Sequence, residues 1–249
     1  MSGINVQLEP SPTVRRVEQA ARECIEECVE QLGADSVALP VPVERWIEHP
    51  LGIQYGISDL SAYGPDVLGA TFIESNEILV SETLLKSPAR LRFTAAHELG
   101  HFRLHGSIRT SFHETATVGP GSPLQIERQA DRFAAAFLMP LDHVMPSVTQ
   151  ALNYFDLDPF VCTVILSEDC SESEWLWRHR VLPRLTTAFE VSLAAMVHRL
   201  TELRLPDGRP VLPPRFQQRL LRTDATSPDD FTVRGGLPVP RTTRAGTDA

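Results

Sequence analysis

The sequence predicts a mainly helical α+β fold built around a small, about three-stranded antiparallel sheet. Three observations predict it. Two long segments, 87–105 and 124–138, repeat apolar residues at helical spacing and carry start and stop signals at their ends. Three short runs before them, 53–58, 67–74 and 77–82, read as strands, the last two joined by a tight turn at Ser75-Asn76. The 249 residues, 42% of them hydrophobic and 22% charged, suffice to bury one sizeable core.

Residues 1–10 read as a disordered tail. Ser11 and Pro12 have the character of an N-cap and a first-turn proline. Val14, Val17, Ala21, Cys24, Ile25, Cys28 and Leu32 then share one helical face before Gly33. Cys24 and Cys28 lie on that apolar face, which assigns them to the core. A loop and a short helix at 40–48 lead into the strands. Ser87-Pro88 opens the next helix and Gly106 stops it. Residues 107–123, rich in Ser, Thr, Gly and Pro, read as loop, and Pro140 ends the helix at 124–138. The stretch 145–180 has no clear pattern: an apolar piece, an acidic piece, then Trp175 and Trp177. Helical spacing returns at 185–189 and 193–203. Beyond 205 Pro, Arg, Asp and Thr dominate, so 11–205 is expected to form the domain and 206–249 a largely disordered tail.

No run of 18 apolar residues occurs, so no membrane span is expected. The N-terminus lacks the basic start and apolar stretch of a secretory signal. Four scattered cysteines do not make a disulfide scaffold, and a reducing cytoplasm is the expected compartment. The net charge of −9 speaks against general nucleic-acid binding. The charge is uneven, however: nine Arg against Glu190, Glu202 and Asp207 make 178–222 locally basic.

The chemistry concentrates in LRFTAAHELGHFRLHG, residues 91–106. His97 and His101 are four apart on a helix, so both rings leave one face about one turn apart and can reach a single ion. Glu98 leaves at a different angle, beside the metal position, where it can take a proton from water. A catalytic zinc needs a third protein ligand and an open fourth position. His105, His113, Glu127, Asp131 and His143 are the candidates. His105 lies about 12 Å further along the helix axis from His97, too far to share the ion. Glu127 and Asp131 fit best, four apart in ERQADRFAAAFLMP (residues 127–140). An E-x-x-x-D pair on a helix against an H-E-x-x-H helix is the gluzincin arrangement: Glu127 on the metal, Asp131 accepting the second ring N–H of a metal histidine, His97 first. The alternative, surface charges paired with Arg128 and Arg132, is outweighed by the neighbouring motif. An oxyanion partner is not selected by the sequence; Tyr55, Tyr63, His113, His143, Tyr154 and nearby Arg residues all qualify. The hairpin before the active helix is a candidate edge for an extended peptide.

Four segments in order, LPVPVERWIEHPLGI (39–53), RLRFTAAHELGHFRLH (90–105), ERQADRFAAAFLMP (127–140) and LTTAFEVSLAAMVHRL (185–200), resemble the ImmA/IrrE family of bacterial metallopeptidases. The resemblance implies a minimal gluzincin-like core and a Zn2+ cofactor. His97, Glu98, His101 and Glu127 match the family's metal and catalytic positions, and Asp131 stands where members have Asn or Asp. It also implies a protein substrate, a helix-turn-helix repressor in a stress-response or mobile-element switch. The chain departs from many relatives in having only about 35 residues before the shared region, too few for a helix-turn-helix domain. The stretch 145–180 is longer than usual and reads as an insertion: a substrate element, a lid, a dimer contact or an inert addition.

Two further readings compete. The chain could be a regulatory module that holds zinc structurally and inactivates a repressor or antitoxin without cleavage; an intact Glu98 weighs against this. Direct DNA binding through 185–203, which has a helix–turn–helix look, is not expected, because the same stretch is explained by the resemblance. The sequence does not indicate the oligomeric state.

Overall fold

The longest helix sits at the centre because its sequence is buried almost all round. In this computed structural model, which describes residues 8–11, 14–106, 111–115 (backbone only), 125–222 and 227–241, the chain runs β1 (Glu9–Pro10), α1 (Arg15–Gln31), α2 (Val43–Glu48), β2 (Gln54–Ser58), β3 (Val67–Phe72), β4 (Glu77–Ser81) and α3 (Pro88–His105). There follow β5 (Ser111–Thr115), α4 (Gln125–Leu138), α5 (Leu141–Tyr154), α6 (Pro159–Leu166) and α7 (Ser171–Leu176). A π turn (Trp177–Val181) leads into α8 (Leu182–Phe189), then α9 (Leu193–Glu202), β6 (Leu203–Arg204), α10 (Pro214–Leu220), β7 (Phe231–Arg234) and β8 (Leu237–Pro240). The class is mainly helical α+β.

Along α3, Leu91, Arg92, residues 94–101 and His105 are buried, the signature of a helix inside a core and not on its rim. On one side it meets α4, whose Ala130 and residues 133–138 are buried in turn. Gly100 permits that approach: a Cβ there would lie 3.1 Å from Phe133 Cβ and 3.2 Å from the Ala130 backbone. On the other side lies the main sheet, in the order β2-β4-β3-β5. The expected antiparallel trio is thus a mixed, four-stranded sheet: β3 pairs antiparallel with β4 and β5, while β2 pairs parallel with β4. The fourth strand falls inside the segment expected to be loop; the rest of 107–123 lies outside the described residues. The β3–β4 hairpin is therefore interior, and the edges are β2 and β5.

Trp46, Phe133 and Phe137 join α2 and α4 in the core, Trp46 meeting Phe137 edge-on at 6.0 Å and Phe133 stacking on Phe137 at 5.8 Å. Cys24 and Cys28 are buried on α1, and all four cysteines are free thiols. Arg199 of α9 ties α1 to this layer: it is buried, pairs bidentately with Glu18 at 2.6 and 2.7 Å, and donates to the Met139 carbonyl.

The ends and the middle differ from expectation. Leu8 is buried and β1 pairs with β6, so the described part of the N-terminal tail is held down. α1 starts at Arg15, past Ser11; Pro12 and residues 1–7 lie outside the described residues. The stretch 145–180 is a helical layer of the core: Trp175 and Trp177 are fully buried, their indole N–H groups donating to the Pro228 and Leu166 carbonyls at 3.1 and 2.9 Å. The C-terminal region expected to be disordered holds α10 and the β7–β8 hairpin; residues 223–226 and 242–249 lie outside the described residues. A few well-spaced anchors account for the order there: Leu212, Phe216, Leu220 and Phe231, set in a polar stretch of sequence, are buried in the hydrophobic core. Gly235 and Gly236 turn that hairpin, both at positive φ (56° and 78°), the backbone a two-residue turn between twisted strands requires.

Candidate metal centre

The α3–α4 contact brings the predicted residues to one place. His97 and His101, one helical turn apart, face Glu127 in the first turn of α4. Their Nε2 atoms lie 2.9 Å apart, and each is 3.4 Å from Glu127 Oε2. Among the described residues these three form the group able to hold a metal ion. The donor set fits such an ion. Tetrahedral bonds of about 2.0–2.1 Å put neighbouring donors about 3.4 Å apart. Both histidine–carboxylate edges have that length, and the histidine–histidine edge is somewhat shorter. Both imidazoles are buried and the carboxylate is half-buried, so water competes weakly for them.

The outer nitrogens are oriented by partners. Asp131 Oδ1 lies 2.9 Å from His97 Nδ1. A carboxylate there accepts the Nδ1 proton and leaves the Nε2 lone pair for an ion. His101 is oriented through a relay that sequence reading misses. Gln129 Oε1 lies 3.0 Å from His105 Nε2, and His105 Nδ1 lies 3.2 Å from His101 Nδ1. If the amide oxygen accepts from His105 Nε2–H, His105 Nδ1 accepts from His101 Nδ1–H, and the His101 Nε2 lone pair again faces inward. His105 thus stands behind His101 and outside the three clustered donors; its spacing of four from His101 was the available signal.

Glu98 is fully buried and turned toward the sheet, where Thr71 of β3 donates to Oε2 over 2.6 Å. The same hydroxyl lies 2.9 Å from the Glu98 carbonyl oxygen and serves one acceptor at a time. Gly69, two residues earlier on β3, makes room: a Cβ there would fall 2.5 Å from Glu98 Oε1. Neither Thr71 nor Gly69 stands out in the sequence, because their role depends on strand register against α3.

The electrostatics suit a cation. Burial raises the Glu127 carboxyl, but the facing His101 and His97 rings, which donate to it when protonated, outweigh burial and hold the group well below the usual carboxylate range. Burial lowers His101 from its ordinary 6.5, with Glu127 opposing in part, so the ring favours its neutral, ligating form. Burial lowers His105 likewise.

The oxyanion candidates scatter. Tyr55 on β2 has a buried hydroxyl, its pKa raised by burial and by Glu44 and Glu48. Tyr63 packs on Phe72 at 5.6 Å. Tyr154 is exposed beneath Arg184, and His143 lines a groove between α1 and α5. The His113 side chain lies outside the described residues.

Comparison with known proteins agrees with the architecture. A model of the IrrE N-terminal-like peptidase domain matches residues 54–201, which includes all of α3 and α4. No curated protein matches the chain. Among solved structures, a Mycobacterium tuberculosis transcriptional regulator is 18% identical with a TM-score of 0.45, over 79% of this chain and 49% of that one. The chain therefore spans about half the length of that regulator. No helix among the described residues is long and apolar enough to cross a membrane. With the family model covering more than half of its residues, the chain belongs to the IrrE N-terminal-like peptidase family.

Proposed function

We propose that the protein is a zinc-dependent endopeptidase acting on a protein substrate, a helix-turn-helix repressor of a stress-response or mobile-element switch, in the cytoplasm. The observation that carries this reading is the convergence of His97, His101 and Glu127 beside a buried Glu98. His97, His101 and Glu127 hold the ion; three ligands, two of them neutral imidazoles, suit zinc and leave a corner free. When bound, zinc supplies a Lewis acid that polarises the scissile carbonyl and makes water a better nucleophile at neutral pH.

The chain's own residues do the rest. Glu98 accepts a proton from the attacking water and delivers it to the departing amine nitrogen. Thr71 holds one carboxylate oxygen of Glu98 so that the other keeps its aim. Asp131 stabilises the His97 tautomer that ligates. Among the described strands the sheet edge nearer the site is β5, which pairs with β3 opposite Gly69 and Thr71. An extended substrate strand added to its outer edge would lie one strand away from β3, which cradles Glu98.

The test is hydrolysis of a helix-turn-helix repressor, sought first in the neighbouring gene. Zinc-loaded protein should cut it to defined fragments, and Glu98→Gln should not. Repressor inactivation that persists in Glu98→Gln without fragments would replace the endopeptidase reading with that of a binding module.

A further inference from the structure

A groove of about 760 Å3 runs between α3, α4 and α9. Its lining includes Asp131, the residue that accepts from the outer nitrogen of His97, so it lies one side chain away from the metal centre. Its floor is apolar, with the small Ala135, Ala194 and Ala195 beside Phe93. Its walls are braced by the Arg132–Glu202 pair at 2.9 Å, and Arg199 beneath it is neutralised by Glu18. Two cations remain. Arg90, in the first turn of α3, and Arg128, in the first turn of α4, are exposed in the lining, and their side chains make no ion pair or hydrogen bond among the described residues. The one other acid of the lining, Asp131, is engaged by an imidazole. The groove is thus locally cationic on a chain whose net charge is −9.

We infer that this groove is a substrate subsite that takes an acidic stretch of the polypeptide, with Arg90 and Arg128 as its specificity-determining residues. The inference rests on the endopeptidase reading above. The chemistry selects the occupant. Small floor residues admit an extended backbone or a slender side chain, and two unpaired guanidiniums, each a planar fork of donors, match carboxylates. A nucleic-acid backbone is the weaker match: two free cations neutralise few phosphates, and the net acidic charge repels the remainder. An acidic segment also gains from steering toward this cationic concavity.

The test is fluorescence anisotropy on the zinc-loaded Glu98→Gln chain, which binds without cutting. The probes are a short fluorescein-labelled peptide alternating Glu and Leu, its Gln counterpart, and a short labelled DNA duplex. The acidic peptide should bind about tenfold more tightly than the Gln peptide, and the advantage should shrink with salt. Arg90→Ala with Arg128→Ala should abolish that advantage, while the paired Lys substitutions retain part of it and circular dichroism shows all variants folded. Equal binding of the two peptides, no binding of the acidic one, or indifference to both Ala substitutions would overturn the inference. Tighter, equally arginine-dependent binding of the duplex would overturn it in favour of a nucleic-acid surface. Because the readout is binding, it separates from the parent reading: arginine-dependent capture with no hydrolysis by the wild type removes the endopeptidase and leaves the groove. Hydrolysis with no such capture does the reverse.

Discussion

Gly69→Ala tests how tightly Glu98, the proposed general base, is seated. The added Cβ would meet Glu98 Oε1 at 2.5 Å, Thr94 Cγ2 at 2.7 Å and Glu98 Cγ at 2.9 Å, all closer than carbon tolerates. None of the three can yield freely, since Glu98 and Thr94 are buried on α3. Either the carboxylate moves or β3 lifts off the helix. Overpacking of this kind costs about 1–3 kcal/mol, which for a chain of this size lowers Tm by about 2–10 °C. A base displaced by about 1 Å should lose about a hundredfold in rate. Calorimetry and hydrolysis of the repressor measure the two effects. The cause is isolated by repeating Gly69→Ala in a Glu98→Ala background, where two of the three contacts vanish and the stability cost should fall markedly. An equal cost in both backgrounds, or a Gly69→Ala protein as stable and active as the wild type, would refute the steric reasoning.

Other outcomes follow from the same coordinates. Asp131→Ala removes the group that orients His97, and competition with a chromogenic chelator should show zinc affinity about 10–100-fold weaker; unchanged affinity would contradict that role. Arg199→Ala strands the nearly buried Glu18 carboxylate without its guanidinium, so urea unfolding should show a loss of about 3–5 kcal/mol; a loss below about 1 kcal/mol, the level of an exposed pair, would contradict it. For pH, His101 has a folded-state pKa below its ordinary 6.5, so the folded chain takes up that proton less readily than the unfolded one. Its contribution to metal-free stability is therefore complete above 6.5 and lost as pH falls through the lowered value, and zinc retention should weaken in the same direction. Stability that rises on acidification through this window would reverse the sign.

The parts of the fold legible in the sequence are those set by short-range rules. The bounds of α3 follow from Ser87-Pro88 and Gly106. The meeting of His97 and His101 follows from helical spacing alone. The sheet order is not local: nothing near Gln54–Ser58 says that it lies parallel to β4, and the polar Ser111–Thr115 hides a strand whose partner is far along the chain. Burial at the C-terminus was masked by averaging. Pro, Arg and Asp set its composition, yet Phe216 and Phe231 set its structure, and the Gly235-Gly236 turn was a readable signal left unread. At the site, the ligand candidates sit in a motif, whereas Thr71, Gly69, Gln129 and the His105 relay gain meaning only from packing between elements.

The account rests on a three-donor centre with one open position, and zinc K-edge absorption on the metal-loaded chain addresses it directly. The expected spectrum shows two imidazole nitrogens and two oxygens at about 2.0–2.1 Å, at one zinc per chain, with zinc lost in Glu127→Ala and retained in Glu98→Gln. Sulfur in the coordination shell, or full zinc occupancy in Glu127→Ala, would contradict it.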